Sequence, residues 1–150
     1  MNASILQDRE LLMKSLGHAG HLVNNRLDAA LAPYGLSIAK LGVLRVLTLA
    51  EEPLPLSQVA ESLACVRSNI TQLVDRLEAD GLVQREADAE DRRSKRASVT
   101  AEGRRLYFVG AAVEVQVEQE LFSGLSPEEC EQLRKILTRL SAGRVTEMKV

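Results

Sequence analysis

The sequence predicts a mainly α-helical fold of about six helices and one β-hairpin, arranged as a winged helix-turn-helix. Residues 57–80 have the pattern of a short helix, a tight turn and a longer helix whose outer face is polar. Residues 82–99 then have the pattern of two short strands joined by an arginine-rich loop. Amphipathic helices precede and follow this unit. That order of elements is the plan of a winged helix-turn-helix.

The first predicted helix covers residues 8–32 and is amphipathic. Its apolar residues recur three or four positions apart, which places them on one face. They are Leu12, Leu16, Ala19, Val23, Leu27 and Leu31. Proline and glycine favour turns, so Pro33-Tyr34-Gly35 ends this helix, and residues 51–55 form the next hinge.

The helix-turn-helix itself is predicted between residues 56 and 80. Ser57 is the predicted N-cap of its short first helix, because a serine hydroxyl accepts a hydrogen bond from a free backbone N–H group. Residues 64–66 form the turn. The second helix has one apolar face, formed by Ile70, Leu73, Val74 and Leu77. Asp80-Gly81 ends it, since glycine adopts the left-handed conformation that follows many helices.

The opposite face of this second helix can contact another molecule. It presents Arg67, Ser68, Thr71, Gln72, Asp75 and Arg76. Arginine pairs with guanine, glutamine pairs with adenine, and serine and threonine contact bases or phosphates. An ordinary solvated helix can have the same composition. The hairpin that follows the helix distinguishes a DNA-contacting face from an ordinary solvated one.

The hairpin has the character of a DNA-contacting wing. Its predicted strands are residues 82–84 and 97–99, and the loop over 86–94 has almost nothing to bury. The descending side carries the cations Arg92, Arg93, Lys95 and Arg96, while the acids Glu86, Asp88, Glu90 and Asp91 can hold the loop through ion pairs. Because the whole chain has a net charge of −2, attraction to DNA must come from such a local patch. The sequence therefore predicts binding to double-stranded DNA.

The helix after Thr100 is apolar on two sides. Leu106, Val109, Val113 and Val117 share one side, and Phe108, Ala111, Ala112, Val115 and Phe122 lie nearly opposite. One stripe can pack on the winged unit, whereas the other needs the terminal helices or a second chain. A monomer that packs all these helices internally is the alternative. The last helix starts at Ser126-Pro127-Glu128-Glu129, a capping box with proline at the first helical position.

Composition restricts the remaining classes of function. The chain has 150 residues, 45% of them hydrophobic, which suits a single domain with a substantial core. No apolar run approaches the roughly 20 residues that cross a bilayer, and the N-terminus lacks a basic region followed by an apolar one, so a cytoplasmic protein without a membrane partner is expected. No phosphate loop, metalloprotease helix or nucleophile motif is visible. We therefore expect no enzyme activity, no cofactor and no metal.

Two segments carry a resemblance to a known family. The run DRRSKRASVTAEG at residues 91–103 resembles the signature of the multiple antibiotic resistance regulator (MarR) family, in which an Asp-x-Arg motif, a short strand and a Thr-x-x-Gly motif follow one another. The run RSNITQLVDRLEADGLV at residues 67–83 is similar to that family's recognition helix. The resemblance implies a homodimeric transcription regulator, usually a repressor, that binds a pseudo-palindromic operator. It also implies one domain over 1–150, with a winged core at 36–100 and dimerisation helices at 5–35 and 101–150.

The resemblance also implies which residues contact DNA. Recognition helices enter successive major grooves and wings reach the flanking minor grooves, with Arg93 at the wing tip, Asp91 as its buttress and Asp75 positioning an arginine. The expected DNA-binding residues are Ser57, Arg67, Ser68, Asn69, Thr71, Gln72, Arg76, Asp91, Arg92, Arg93 and Lys95. By the same analogy, a small-molecule effector is expected near His18, His21, Tyr34 and Phe108. There it would favour a spacing between the two recognition helices of the dimer that does not match one turn of DNA, which is about 34 Å long.

Two alternatives remain open at the level of sequence. A winged helix can serve only for protein contacts, although such a module has no reason to concentrate arginines and lysine in its wing. A thiol- or metal-sensing regulator is the second alternative, because Cys65 lies in the turn before the recognition helix and His18 and His21 are three residues apart. Cys65 and Cys130 are otherwise expected to behave as small buried hydrophobic residues.

Overall fold

The computed structural model describes residues 3–63, 67–88 and 95–142, with side chains for all of these except residues 3–6 and 67–68. The chain divides into two compact units, Met1–Val115 and Gln116–Val150, and the division falls within one long helix. The elements in chain order are α1 (Ala3–Leu31), a 3-10 turn (Ala32–Tyr34), α2 (Ile38–Leu49), β1 (Leu54–Pro55), α3 (Leu56–Ser62), α4 (Arg67–Ala79), β2 (Val83–Ala87), β3 (Lys95–Val99), α5 (Ala101–Phe122) and α6 (Pro127–Ala142). The predicted mainly helical fold with a winged hairpin is confirmed.

The core of the first unit joins α2, α3, α4 and the sheet. On α4, Ile70, Val74 and Leu77 are fully buried, as the helical periodicity predicts. They pack in one cluster with residues that the other elements contribute, among them Leu41, Leu44, Val59, Val83 and Ala97. The polar face of α4 is therefore held outward by the burial of its apolar face.

The sheet has three antiparallel strands in the order β1-β3-β2, rather than the two strands predicted from sequence. The third strand, β1, has only two residues and pairs Leu54 with Ala97. A two-residue strand shows no alternating pattern, so the sequence did not reveal it. Strands β2 and β3 also extend further toward the wing tip than predicted, because Glu86 pairs with Arg96 and places opposite charges across the ladder.

The start of α3 differs from the prediction. Its N-cap position is Pro55, without a capping side-chain hydrogen bond, and the helix begins at Leu56. Ser57 therefore lies within the first helical turn and is half-buried. The prediction that Ser57 caps this helix was wrong, because Pro55 belongs to β1 and the chain passes directly from strand to helix.

The end of α4 matches the prediction. Gly81 has a φ of 73°, in the left-handed region. The N–H of Leu82 donates to the carbonyl of Leu77 at 2.9 Å, and the N–H of Gly81 donates to the carbonyl of Glu78 at 2.9 Å. These two bonds satisfy carbonyl groups that the helix end leaves unpaired.

The Thr-x-x-Gly segment fastens the start of α5 to this turn. The hydroxyl of Thr100 donates to the carbonyl of Gly81 at 2.8 Å and accepts from the N–H of Gly103 at 3.0 Å. The N–H of Thr100 also donates to the carbonyl of Leu82 at 3.0 Å. A Cβ atom on Gly103 would lie 2.0 Å from the carbonyl oxygen of Leu82, so only glycine allows this approach.

In the second unit, α6 begins with the predicted capping box. The N–H of Ser126 donates to Glu129 Oε2 at 2.8 Å, and the N–H of Glu129 donates to Ser126 Oγ at 3.2 Å. The apolar face of α6 is exposed in the single chain. Its residues Leu133, Ile136, Leu137 and Leu140 are each more than a third exposed.

Within the described residues, no individual helix has both the length and the apolar character needed to cross a bilayer. Helices α1 and α2 meet these criteria only when taken together, across a bend of 73°.

Candidate nucleic-acid interface

The outward face of α4 is available to a ligand. Asn69, Gln72 and Arg76 are exposed, and Thr71 is half-buried. Among the described residues, no carboxylate forms a salt bridge with Arg76. The side chains of Arg67 and Ser68 lie outside the described set, although both residues belong to the first turn of α4. The surface that the sequence assigns to base and phosphate contacts is therefore presented by a helix whose other face is buried.

The acids of α4 are bound by an arginine that the sequence analysis missed. Arg85 of β2 donates from Nη1 to Asp75 Oδ1 at 2.5 Å, and from Nε and Nη2 to Glu78 Oε2 at 2.8 and 2.5 Å. The hydrogen bond from Arg85 is the main cause that lowers the pKa of Glu78, with a smaller contribution from the charge of Lys95. Asp75 does contact an arginine, as predicted. Its partner follows in sequence ten residues later, and no local motif marks it.

One of the predicted wing cations, Arg96, has a structural role at the base of the wing. Arg96 donates from Nε to Asp88 Oδ2 at 2.7 Å and from Nη1 to the carbonyl of Pro53 at 3.1 Å. The idea that Asp88 holds the hairpin through an ion pair is therefore confirmed. The grouping of Arg96 with the DNA-attracting cations needs correction, because its guanidinium ties β3 to the segment before β1.

Lys95 remains exposed at the start of β3. The wing-tip residues Asp91, Arg92 and Arg93 lie outside the described residues, as does Glu90. The two arginines that follow the wing are engaged within the chain. Arg104 donates to the carbonyl of Thr48 at 3.3 Å, and Arg105 pairs with Glu102 at 2.6 Å.

A lysine of α2 anchors the residue that follows α4. Lys40 of α2 donates to Asp80 Oδ2 at 2.9 Å and to the carbonyl of Gly35 at 3.1 Å. This contact spans 40 residues of sequence, so no local pattern could reveal it. Lys40 therefore binds the residue that follows α4, and Arg85 binds the last turns of the helix itself.

None of the four residues expected near an effector is buried. His18 and His21 are exposed on α1, and Tyr34 and Phe108 are largely exposed as well. The first unit instead contains a cleft of about 560 Å³, lined by Asn24, Asp28, Ser37, Ile38, Ala39, Gly42, Arg45, Leu63, Leu73 and Glu114. Arg45 and Glu114 form an ion pair there, and Asp28 Oδ1 accepts a hydrogen bond from the N–H of Ile38 at 2.8 Å.

The residues considered for sensing are only partly described. Cys130 is a half-buried free thiol on α6, whereas Cys65 lies outside the described residues. Within the part of the chain that the structure describes, no group of three or more histidine, cysteine or carboxylate side chains could hold a metal ion.

Comparisons with known proteins agree with the geometry. The MarR family model matches residues 34–94. The HTH-type transcriptional regulator PapX from Escherichia coli is 32% identical over 135 residues, which cover 88% of this chain and 81% of PapX. PapX is thus named as a transcriptional regulator, and so are other relatives of this chain.

Solved structures extend the agreement over almost the whole chain. The MarR-family transcriptional regulator Sco3205 from Streptomyces coelicolor, solved in complex with DNA, is 27% identical, with a TM-score of 0.83, and the match covers 91% of this chain and 88% of Sco3205. CouR from Rhodococcus jostii RHA1, solved with bound p-coumaroyl-CoA, is 29% identical with a TM-score of 0.71, over 90% of this chain and 91% of CouR. The chain therefore belongs to the MarR family of winged helix-turn-helix, DNA-binding transcriptional regulators.

Proposed function

We propose that this protein is a cytoplasmic, effector-responsive repressor that binds a pseudo-palindromic operator as a homodimer. The observation that carries this proposal is the exposed polar face of α4, held outward by a buried apolar face and flanked by a β-hairpin wing. The relative Sco3205, whose structure was solved with DNA, has the same fold over nearly the whole chain.

In this proposal α4 occupies a major groove and the wing reaches the neighbouring minor groove. Gln72 and Arg76 contact base edges and phosphates, because amide and guanidinium groups match the hydrogen-bonding patterns of the major groove. Asn69, Thr71, Arg67 and Ser68 complete that face. The remaining proposed contacts come from Ser57 and from the wing residues Asp91, Arg92, Arg93 and Lys95.

The proposed dimer covers apolar faces that the single chain leaves exposed. In the first unit, Leu11, Leu12 and Met13 on α1 are exposed, and so are Phe108 and Val115 on one side of α5. The opposite side of α5, with Leu106 and Val113, packs against the core. In the second unit, Leu133, Ile136, Leu137 and Leu140 on the apolar face of α6 are exposed. Contiguous exposed apolar faces are uncommon on monomers, and a second copy of the chain is the proposed cover.

Selection of bound duplexes from a random pool at fixed salt tests this proposal. We expect an enriched pseudo-palindrome whose half-sites are one helical turn apart, about 10 base pairs. Retention of no duplex at low ionic strength would contradict DNA binding and would favour a protein-interaction module.

Two variants test the proposed contacts on the selected duplex. Arg93→Ala should weaken binding to all sequences and reduce the salt dependence, with the slope of log K against log salt falling by about 1. Gln72→Ala should change the preferred bases within each half-site and leave the salt dependence nearly unchanged. Binding by both variants as tight and as selective as the parent's would overturn the contact map.

We propose that an effector binds in the cleft of the first unit and reaches along α1 toward His21 and His18. His21 precedes the cleft residues Asn24 and Asp28 by one and two helical turns, so they share one face of α1. Tyr34 and Phe108 are the proposed outer contacts. The relative CouR, solved with p-coumaroyl-CoA bound, supports small-molecule binding at the level of the family.

A cleft-filling variant tests this effector site. Ala39 is exposed and lines the cleft, so Ala39→Phe should block effector binding without altering the outward polar face of α4. In a screen of metabolites for release of the selected duplex, we expect a hit that acts on the parent and fails on Ala39→Phe. His21→Ala should weaken the same response. A hit that releases both variants as well as the parent would place the effector elsewhere.

A further inference from the structure

Helix α4 carries two carboxylates that should oppose its approach to DNA. Asp75 and Glu78 lie on the same helix as Gln72 and Arg76, and their side chains are 51% and 38% exposed. A carboxylate close to a phosphate backbone is repelled, and because it neutralises no phosphate it releases none of the counterions that surround DNA. DNA binding by this helix therefore requires a nearby cation that compensates these two negative charges.

Arg85, on the first strand of the wing, supplies that compensating positive charge. Its side chain is only 18% exposed, and its two guanidinium edges are directed at both carboxylates. The backbone N–H of Arg85 also donates to Glu78 Oε1 at 3.3 Å. Because all these donors are occupied by α4 acids, the cation of Arg85 is not presented to solvent as a phosphate ligand.

The same contacts join the recognition helix to the wing. Arg85 lies directly opposite Ala97 in the ladder, and Ala97 is fully buried in the core. A planar guanidinium can bridge two carboxylates on successive turns of a helix, whereas the single ammonium of a lysine cannot present two edges. The outer face of α4 and the strand that leads to the wing tip are therefore held in one orientation.

We propose that Arg85 is a positioning residue of the DNA interface. It compensates Asp75 and Glu78, and it fixes α4 against β2, so that Gln72 and Arg76 approach DNA without repulsion from their own helix. Arg85 acts through these two acids and makes no contact with DNA itself. This inference rests on the proposed DNA binding.

Three variants test the proposal on the duplex that the parent selects. Arg85→Met should weaken binding about tenfold, because it exposes two uncompensated acids. Arg85→Met with Glu78→Gln has the same net charge as the parent and should bind within about threefold of it, with an unchanged salt slope. Arg85→Met with Glu118→Gln has that same net charge but keeps both α4 acids, and it should bind as weakly as Arg85→Met alone.

Each contrary result has a distinct meaning. If the parent binds no duplex, the proposed function fails. If the parent binds and Arg85→Met binds equally well, the inference fails alone. If Glu78→Gln does not restore binding and the salt slope falls by about 0.9, Arg85 is a direct phosphate ligand. Equal rescue by Glu118→Gln would show a general effect of net charge and would overturn the positioning role.

Arg85→Lys keeps the proposal testable if Arg85→Met folds poorly. Lysine retains the charge and most of the length but can serve only one carboxylate at a time. We expect binding about two- to fivefold weaker than the parent, with an unchanged circular dichroism spectrum. Parent-like affinity for Arg85→Lys would show that bridging both carboxylates is not required.

Discussion

Gly103 shows how a single residue can fix the junction between two elements. Its backbone approaches the carbonyl of Leu82 so closely that a methyl group has no room, and its N–H donates to the hydroxyl of Thr100. This close approach is the steric reason that the family signature ends in glycine here. It brings α5 against the turn that ends α4.

We expect Gly103→Ala to lower the free energy of unfolding by about 2 kcal/mol, because backbone atoms must move to admit the new Cβ. The matched control is Gly17→Ala, since the Cβ at Gly17 would meet nothing within 4 Å. That control should gain about 0.5–1 kcal/mol from helix propensity. Urea unfolding at one protein concentration measures both variants. Equal effects of the two substitutions would contradict the close approach at Gly103.

Glu78 should make stability depend on pH. The hydrogen bond from Arg85 lowers the pKa of Glu78 from its ordinary value of 4.5. A group whose pKa is lower in the folded state stabilises the protein above its ordinary pKa, and this contribution is lost as the pH falls through the lowered value. The difference in unfolding free energy between the parent and Glu78→Gln should therefore be largest near neutral pH.

Urea unfolding of both proteins at several pH values measures this difference. As the pH falls below 4.5, the two free energies should converge, because the parent carboxyl becomes protonated and resembles the neutral amide. A difference that stays constant from neutral to acidic pH would show that the Arg85 contact does not stabilise the charged form of Glu78.

At the level of elements, helix α6 depends on its first turn. The reciprocal hydrogen bonds between Ser126 and Glu129 satisfy N–H groups that would otherwise be unpaired at the helix start. The helix also needs this support because its apolar face is exposed in the single chain. Its local stability therefore comes largely from capping and from contacts that a partner copy would add.

Ser126→Ala should lower stability by about 1 kcal/mol, because it removes the capping acceptor. Ser123→Ala is the matched control. Its hydroxyl donates to the carbonyl of Glu120 at the end of α5 and caps no helix start. Hydrogen exchange of the first α6 amides should accelerate in Ser126→Ala and stay near the parent rate in Ser123→Ala. Unchanged exchange in both would contradict the importance of the cap.

At the scale of the whole molecule, the exposed apolar face of α6 should determine the oligomeric state. Ile136 is 52% exposed in the single chain and lies on the same face as Leu133 and Leu140. A second copy that covers this face would bury Ile136 among apolar side chains. Placing a charge there carries a large desolvation cost in a dimer and almost none in a monomer.

Ile136→Glu should shift the protein from dimer to monomer in analytical ultracentrifugation. The control Thr138→Glu introduces the same charge on the opposite, polar face of α6, and it should remain a dimer. Operator affinity should fall with dimerisation in Ile136→Glu, because the two half-sites no longer bind as one unit. A monomeric parent, or a dimer that tolerates Ile136→Glu, would contradict the proposed interface.

Much of the fold could be predicted because its signals are local. The three- to four-residue periodicity of Ile70, Val74 and Leu77 identifies the buried face of α4. Gly81 and Ser126 mark helix ends through conformations and hydrogen bonds that involve only nearby residues. The prediction for Ser57 was wrong because a contact from another part of the chain, the pairing of Pro55 with Arg96, decided where that helix begins.

The sequence by itself determined the helix-turn-helix, the wing and the polar face that is offered to DNA, since each follows from periodicity and turn chemistry within a few residues. Only the tertiary structure decided which charged side chains on and near that face are paired with other side chains of the protein. Arg85 binds the acids of α4, Arg96 binds Asp88, and Lys40 binds Asp80. The partner of a charged side chain depends on what another element brings within about 3 Å of it, and composition contains no record of that distance.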